Sequence, residues 1–327
     1  MSNREMQAVR LRETAGPDAL RIETVPIPEA GPGEAIVRLR AAAFNHRDVY
    51  VTQGKYPGIA LPVTPGSDGA GECEGRAVLV DPMLDWGDDE RVWRKGASIL
   101  GMPRDGTFAQ YVVVPAANVH DRPAHLTVDE AAALPLAGLT AYRALFTRAA
   151  LHAGETVLIT GVGGGVQTMA LIFAKHAGAR VIATSSSDAK LARATALGAD
   201  VAINYRTDEQ WFKTARAAGP IDAAIDSAGG ATLARVADIV RPGGRIVVYG
   251  GTNGDATVRP FSIFWNHLDV LGTSMGSPQD FAAMLAFVDR ERIRPAIDRV
   301  YEMGDVAVAA RRMEEAAQFG KIVLTID

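Results

Sequence analysis

The stretch TGVGGGVQTMA, Thr160 to Ala170, sets four glycines in five positions between the apolar run Val157–Ile159 and the helix-like segment LIFAKHAGA. In a dinucleotide-binding turn one glycine permits the sharp strand-to-helix reversal and another lets backbone N–H groups approach a pyrophosphate. A third lets the helix pack closely on the strand. Gly161, Gly164 and Gly165 suit the turn and approach roles, Gly163 adds flexibility, and Val166 opens the helix, whose N-terminus offers unpaired donors to phosphate. Gln167 stands where the last glycine is usual, so close packing there is not kept by a glycine. A lone glycine-rich stretch is weak evidence, but here a strand precedes it, a helix follows, and a second strand ends about 20 residues on.

That second strand ends in VIATSSSDAK (Val181–Lys190). An NAD site usually places an acid at the strand end to accept hydrogen bonds from the ribose 2′-OH. Ser185 occupies that place. Ser185, Ser186 and Lys190 together suit a 2′-phosphate, which predicts NADPH, with Asp188 read as the cap of the next helix. The alternative reading is a serine-rich turn with Lys190 on a solvated helix face.

Outward from the turn, strands Val157–Thr160, Arg180–Thr184, Val201–Asn204, Ala223–Asp226 and Arg245–Tyr249 alternate with helical stretches, a βαβ rhythm that predicts a doubly wound parallel sheet. Before it, short period-2 runs such as AIVRLRA (Ala35–Ala41) and FAQYVVVP (Phe108–Pro115) lie between Gly/Pro turns and predict a small, mostly antiparallel β domain. After it come helical stretches at Pro278–Arg290 and Val306–Ala317 and a strand at Lys321–Ile326, which needs partners and is expected to return to the first domain. The expected division is 1–122 with 270–327 for the β-rich domain and 123–269 for the α/β domain, in a fold of class α/β.

At 327 residues the chain has room for two cores. Its 48% hydrophobic and 22% charged residues are ordinary for a globular protein. A net charge of −4 offers no general attraction to nucleic acid or acidic membranes. With one cysteine, Cys73, no intramolecular disulfide can form. The start MSNREMQAVR has no apolar signal-peptide core, and AAALPLAGLTAY (Ala131–Tyr142) is too short to span a bilayer, so a cytoplasmic location is expected.

The chain resembles the medium-chain dehydrogenase/reductase superfamily, in its zinc-independent quinone oxidoreductase-like branch. The resemblance runs nearly end to end, through FNHRDVYVTQGKYP (Phe44–Pro57), PGSDGAGE (Pro65–Glu72), GTFAQYVVVP (Gly106–Pro115) and EAAALPLAGLTAYRAL (Glu130–Leu145). It continues through the glycine turn, DSAGG (Asp226–Gly230), RPGGRIVVYG (Arg241–Gly250) and GKIVL (Gly320–Leu324). It implies a GroES-like catalytic domain and a Rossmann domain that binds NADPH, with Thr140 and Gly250, Gly251 and Thr252 at the nicotinamide half and Tyr205 beside the adenine ribose.

Zinc-dependent relatives carry a Cys, a His and an acid as catalytic ligands, plus a four-cysteine structural site. Here Asn45 takes the Cys position and Ser67 the His position, and one cysteine cannot build a four-thiolate site. His46 reads as a solvated or hydrogen-bonded histidine. No metal is expected. Without a Lewis acid the substrate carbonyl must be polarised by hydrogen-bond donors, and NxxDxY, which resembles the quinone oxidoreductase motif, makes Asn45 and Tyr50 the candidates, with Asp48 holding the loop. Tyr56, Phe264 and Trp265 are candidate walls of an apolar substrate slot, though each suits core or interface equally. The acid-then-basic loop Leu84–Ser98 departs from the relatives.

The leading function is hydride transfer from NADPH to a quinone or α,β-unsaturated carbonyl. Enoyl-thioester reduction is a second enzymatic reading. A non-catalytic role is a third, since members of the branch also serve as lens proteins or bind RNA, although the negative charge argues against RNA. The apolar, aromatic stretch RPFSIFWNHLDVLGTSMG (Arg259–Gly276) follows the last Rossmann strand. In the family the chain resembles, this region supplies the strand that pairs across a two-fold axis, so a homodimer formed edge to edge by the Rossmann sheets is expected.

Overall fold

The computed structural model describes residues 4–327, which divide into two compact units. One holds the described residues up to Ala137 together with Ser277–Asp327; the other is Gly138–Gly276.

The first unit begins with β1 (Glu5–Leu11), β2 (Leu20–Pro26) and β3 (Glu34–Ala43), followed by α1 (His46–Thr52). Then come β4 (Asp68–Cys73), β5 (Arg76–Val80), β6 (Met83–Leu84), β7 (Ser98–Ile99), β8 (Tyr111–Pro115) and β9 (Val119–Asp121). Helices α2 (Val128–Ala132) and α3 (Pro135–Tyr142) lead out of it. The second unit contains β10 (Thr156–Ile159), α4 (Gly165–His176), β11 (Arg180–Ser185), α5 (Asp188–Ala196), β12 (Val201–Asn204) and α6 (Trp211–Ala217). It continues with β13 (Ala223–Asp226), α7 (Gly230–Ile239), β14 (Arg245–Val248), α8 (Pro260–Trp265) and β15 (Asp269–Gly272). The chain then returns to the first unit with α9 (Pro278–Arg290), β16 (Ile297–Glu302), α10 (Val306–Glu314) and β17 (Lys321–Thr325).

In the first unit the main sheet runs β16-β17-β3-β4-β5-β9, with β8 also on β3. Every pairing is antiparallel except β16 with β17. As the period-2 runs predict, β3 and β8 bury one face. Along one edge of β3, β8 covers residues 34–38 and β17 covers 41–43, so the late strand does return to the first domain. Phe44 and Phe108 meet at 4.6 Å between ring centroids over a core that includes Val37, Leu39 and Leu324. Each such fully buried side chain stabilises the unit by about 1.5–3 kcal/mol.

In the second unit all six strands are parallel, in the order β12-β11-β10-β13-β14-β15. This is the doubly wound arrangement, and its strand order reverses between β10 and β13, where such sheets bind ligands beyond the carboxyl ends of their strands.

The expected division at 122/123 and 269/270 needs correction at both ends. Residues 123–137 stay with the β-rich unit because polar contacts tie them there. His125 Nε2 lies 2.9 Å from the Ile293 carbonyl, Arg294 pairs with Glu130 at 2.5 Å, and the Leu136 N–H donates to Asp68. At the other end β15 pairs in register with β14, which extends a sheet read in the sequence as closing at Tyr249.

Candidate functional site

Helix α1 starts at Asn45, whose backbone N–H donates to the Asp48 carboxylate at 2.7 Å, one half of a capping box. The Asp48 N–H donates in turn to the Asn45 carbonyl at 2.9 Å, and the Asn45 side chain turns its terminal atoms to other partners. Its Nδ2 donates to Asp68 Oδ2 at 2.9 Å, and its Oδ1 accepts from Lys321 Nζ at 2.7 Å. Lys321 Nζ also donates to Asp68 Oδ2 at 2.8 Å, and the Leu136 backbone N–H reaches Asp68 Oδ1 at 2.8 Å. Asp68 is fully buried, Lys321 is 2% exposed and Asn45 7%. The carboxylate, the amide and the ammonium therefore form a closed triangle away from water.

A second cation completes the cluster. Arg47, buried on α1, donates through Nη1 to Ser67 Oγ and to the Leu100 carbonyl, both at 2.7 Å, and its guanidinium lies 4.9 Å over the Tyr56 ring. Ser67 is held in the wall by packing of backbone on backbone. Gly66 has φ +97°, and a Cβ on Gly106 would meet the Gly66 carbonyl oxygen at 1.9 Å. Burial pushes the Asp48 carboxyl up to about 6, against the pull of Arg47, the Asn45 N–H and Lys321. Two cations, Arg47 and Lys321, thus face two carboxylates, Asp48 and Asp68.

This donor set does not fit a zinc ion. An amide at Asn45, a hydroxyl at Ser67 already engaged by a guanidinium, and a carboxylate already engaged by an ammonium are poor ligands for a dication. Arg47 and Lys321 would also repel it. Among the described residues no group of three or more His, Cys, Asp or Glu is placed to hold a metal ion. Cys73 is a buried free thiol.

Tyr50, half-buried on α1, has its ring 5.9 Å from that of His46, and among the described residues no hydrogen bond joins it to the Asn45 triangle. Tyr56 packs against the core of the first unit and its hydroxyl accepts from Arg47 Nε at 3.3 Å. Phe264 and Trp265 lie on α8 of the second unit, 61% and 66% exposed, with Phe261 stacked on Trp265 at 5.3 Å. The Leu84–Ser98 loop is closed at its base by β6 pairing with β7 and pinned by buried Trp86, whose Nε1 donates to the Asp89 carbonyl at 2.9 Å.

The glycine turn joins β10 to α4 at the reversal of strand order. Positive φ falls on Gly161 (70°) and Gly163 (132°), while Gly164 caps the helix and Gly165 begins it, one residue before Val166. Gly163 does more than add flexibility: a Cβ there would meet the Lys190 side chain at 2.7 Å. Lys190 therefore lies over the turn. Ser187, not Asp188, caps α5; Asp188 accepts from Asn204 Nδ2 at 2.7 Å. Ser185 is buried at the end of β11 and its carbonyl accepts from the Tyr205 N–H at 3.1 Å. Ser185, Ser186, Lys190 and Tyr205 are thus assembled at the tips of β11 and β12.

On the other side of the switch point, Gln167 Nε2 donates to Ser227 Oγ at 2.6 Å, and Thr160 Oγ1 donates to buried Asp226 at 2.6 Å. Gly250 and Thr252 fold onto Ser227, with the Thr252 N–H reaching its carbonyl at 3.2 Å, and Gly251 follows the same loop. Thr140 is buried in α3. The backbone amides and small side chains of this crevice fit a dinucleotide. Lys321, Asp68 and Arg47 were not read from the sequence as site residues.

A family model described as alcohol dehydrogenase GroES-like domain matches residues 31–124, and one described as zinc-binding dehydrogenase matches residues 165–290. A zinc-type alcohol dehydrogenase-like protein YogA of Leptosphaeria maculans is 34% identical, over 94% of this chain and 94% of its own. A quinone oxidoreductase of Homo sapiens is 28% identical over 98% of each chain. A solved NAD-dependent alcohol dehydrogenase superposes with a TM-score of 0.91 at 35% identity, covering 98% of this chain and all of its own.

Proposed function

The chain belongs to the medium-chain dehydrogenase/reductase superfamily, and on that premise we propose an NADPH-dependent, zinc-independent oxidoreductase that passes hydride to a quinone or an α,β-unsaturated carbonyl. The observation that carries this reading is the Asn45–Asp68–Lys321 triangle, a buried charged donor set around Asn45, the residue that the resemblance sets at a zinc relative's Cys position.

The nicotinamide, when bound, supplies the hydride. The protein's part is to stabilise the charge that grows on the substrate oxygen. Asn45 has two N–H groups and only one is engaged, by Asp68. The second is free to donate to that oxygen, with Tyr50 as the further donor read from the sequence. A preorganised donor in a water-poor site stabilises a developing oxyanion more than water does, because it needs no reorientation. Quinones and enones suit such a site, since they accept a hydride without a strong Lewis acid. At the cofactor end the absence of an acid at Ser185, and Lys190 above the glycine turn, support NADPH.

We also propose a homodimer through α8 and β15. Exposed Phe261, Phe264, Trp265 and Val270 gather there, and β15 pairs only with β14 among the described residues, which leaves an edge to cover.

The test is a turnover screen of quinones, alkenals, enoyl thioesters and alcohols with NADPH and NADH, in the presence and absence of a chelator. Quinone or enone reduction with NADPH, unchanged by chelator, is expected. Alcohol oxidation that disappears with a bound zinc would overturn the reading.

A further inference from the structure

We infer that Lys321 is a positioning residue of the reaction: its ammonium fixes and polarises the Asn45 amide so that the free Asn45 N–H points its charge at the substrate oxygen. The inference rests on the donor reading of Asn45 and goes a step beyond it.

The argument starts from which groups can donate. An ammonium has three N–H donors and no acceptor, and an ionised carboxylate only accepts. Lys321 Nζ lies 2.7 Å from one terminal atom of the Asn45 side chain, and Asp68 Oδ2 lies 2.9 Å from the other. Only one amide orientation satisfies both: oxygen toward Lys321, nitrogen toward Asp68. Lys321 and Asp68 thus enforce the same orientation from opposite ends, and with both charges gone the amide could rotate by half a turn and present its oxygen, an acceptor, where a donor is needed.

The same hydrogen bond withdraws electron density from the amide and makes its N–H groups stronger donors, an effect enlarged by burial. Lys321 is 2% exposed, and its bond to Asp68 holds it in place at 2.8 Å. Asp68 in turn is anchored by the Leu136 N–H at 2.8 Å. The chain thus keeps one fixed positive charge behind the donor, on a strand (β17) rather than on a loop.

The test is steady-state kinetics with 1,4-naphthoquinone and NADPH, with a melting curve for every variant. Lys321→Met leaves Asp68 buried and unpaired, so the Asp68→Asn/Lys321→Met pair, which removes both charges at similar volume, guards against mere unfolding. Both should lose about 10–100-fold in kcat, as changes to residues that orient a working group typically do, with the KM for NADPH unchanged. In the Asn45→Ala background, adding Lys321→Met should cause no further loss of kcat, because Lys321 acts through Asn45. Lys321→Arg should recover part of the loss.

A folded Asp68→Asn/Lys321→Met enzyme with full kcat overturns the inference, and so do losses that multiply in the Asn45→Ala/Lys321→Met double variant. Full kcat in Asn45→Ala alone overturns the donor reading itself, which separates the two failures.

Discussion

Around Asp68 every polar partner is protein: one backbone N–H, one amide and one ammonium, with no exposure to water. At the tips of β11 and β12 the pattern is the reverse. The Ser185 hydroxyl accepts only a long 3.4 Å bond from the Ser187 N–H, Ser186 and Lys190 are half-buried, and Tyr205 is 43% exposed. The first centre satisfies its own charges before any ligand arrives and leaves only one Asn45 N–H unengaged. The second is partly open to solvent and so to a ligand. A change in the first should therefore be felt in folding as well as chemistry, and a change in the second chiefly in binding.

The largest expected effect breaks the first centre. Asp68→Ala leaves the Lys321 ammonium buried without its carboxylate and should cost about 3–5 kcal/mol of stability. Urea unfolding measures it, and a loss under about 1 kcal/mol would mean that the centre is not closed on itself.

Next comes the second centre. Ser185→Asp should weaken NADPH binding by about 1–3 kcal/mol, since repulsion replaces a charge-assisted hydrogen bond. Equal kcat/KM for NADPH and NADH in the wild type would remove the basis of this expectation.

The smallest effect sharpens the comparison with a buried acid that has no lysine. Asp81 is 1% exposed; burial pushes its carboxyl up to about 8, with only the Met83 N–H pulling it back. Because its folded value lies above the ordinary one, the stability it contributes is complete in acid and is lost as pH rises through about 8. The slope is at most about 1.4 kcal/mol per pH unit. Asp81→Asn keeps the acceptor for Met83 and should flatten that slope. An unchanged slope of stability between pH 6 and 9 in Asp81→Asn would show that Asp81 is ionised throughout.

The sequence carried the second centre more fully than the first. A glycine turn is local: Gly161, Gly163 and the strand tip at Ser185 are read within about 25 residues, by the spacing that chain reversal demands. The closed centre is not local. Asn45 stands out from its motif, but Lys321 lies 276 residues away in GKIVL, where alternation reads simply as a strand. Nothing in the one-dimensional pattern around Arg47 says that its face of α1 is the buried one. Strand β16 escaped for a related reason: IDRVYE is half-buried or exposed along its whole length, so it carries no apolar alternation to detect. Asp188 looked like a helix cap because its residue type suits the role, yet Ser187, one place earlier, accepts from the Lys190 N–H.

The insertion of one unit into the other also orders events in time. The nucleotide-binding unit is contiguous, Gly138–Gly276, while β3 and α1 must wait for β17, which lies beyond it. The waiting is cheap in equilibrium terms, because loop-closure cost rises by only about 0.6 kcal/mol for each doubling of length. In vectorial synthesis, however, domains fold as they emerge. A nascent chain therefore completes its nucleotide crevice while residues 41–43 of β3 still lack their neighbour on one edge and Asp68 its counter-charge. During that interval the Asn45–Asp68 pair has no ammonium, and the closed triangle exists only once β17 docks.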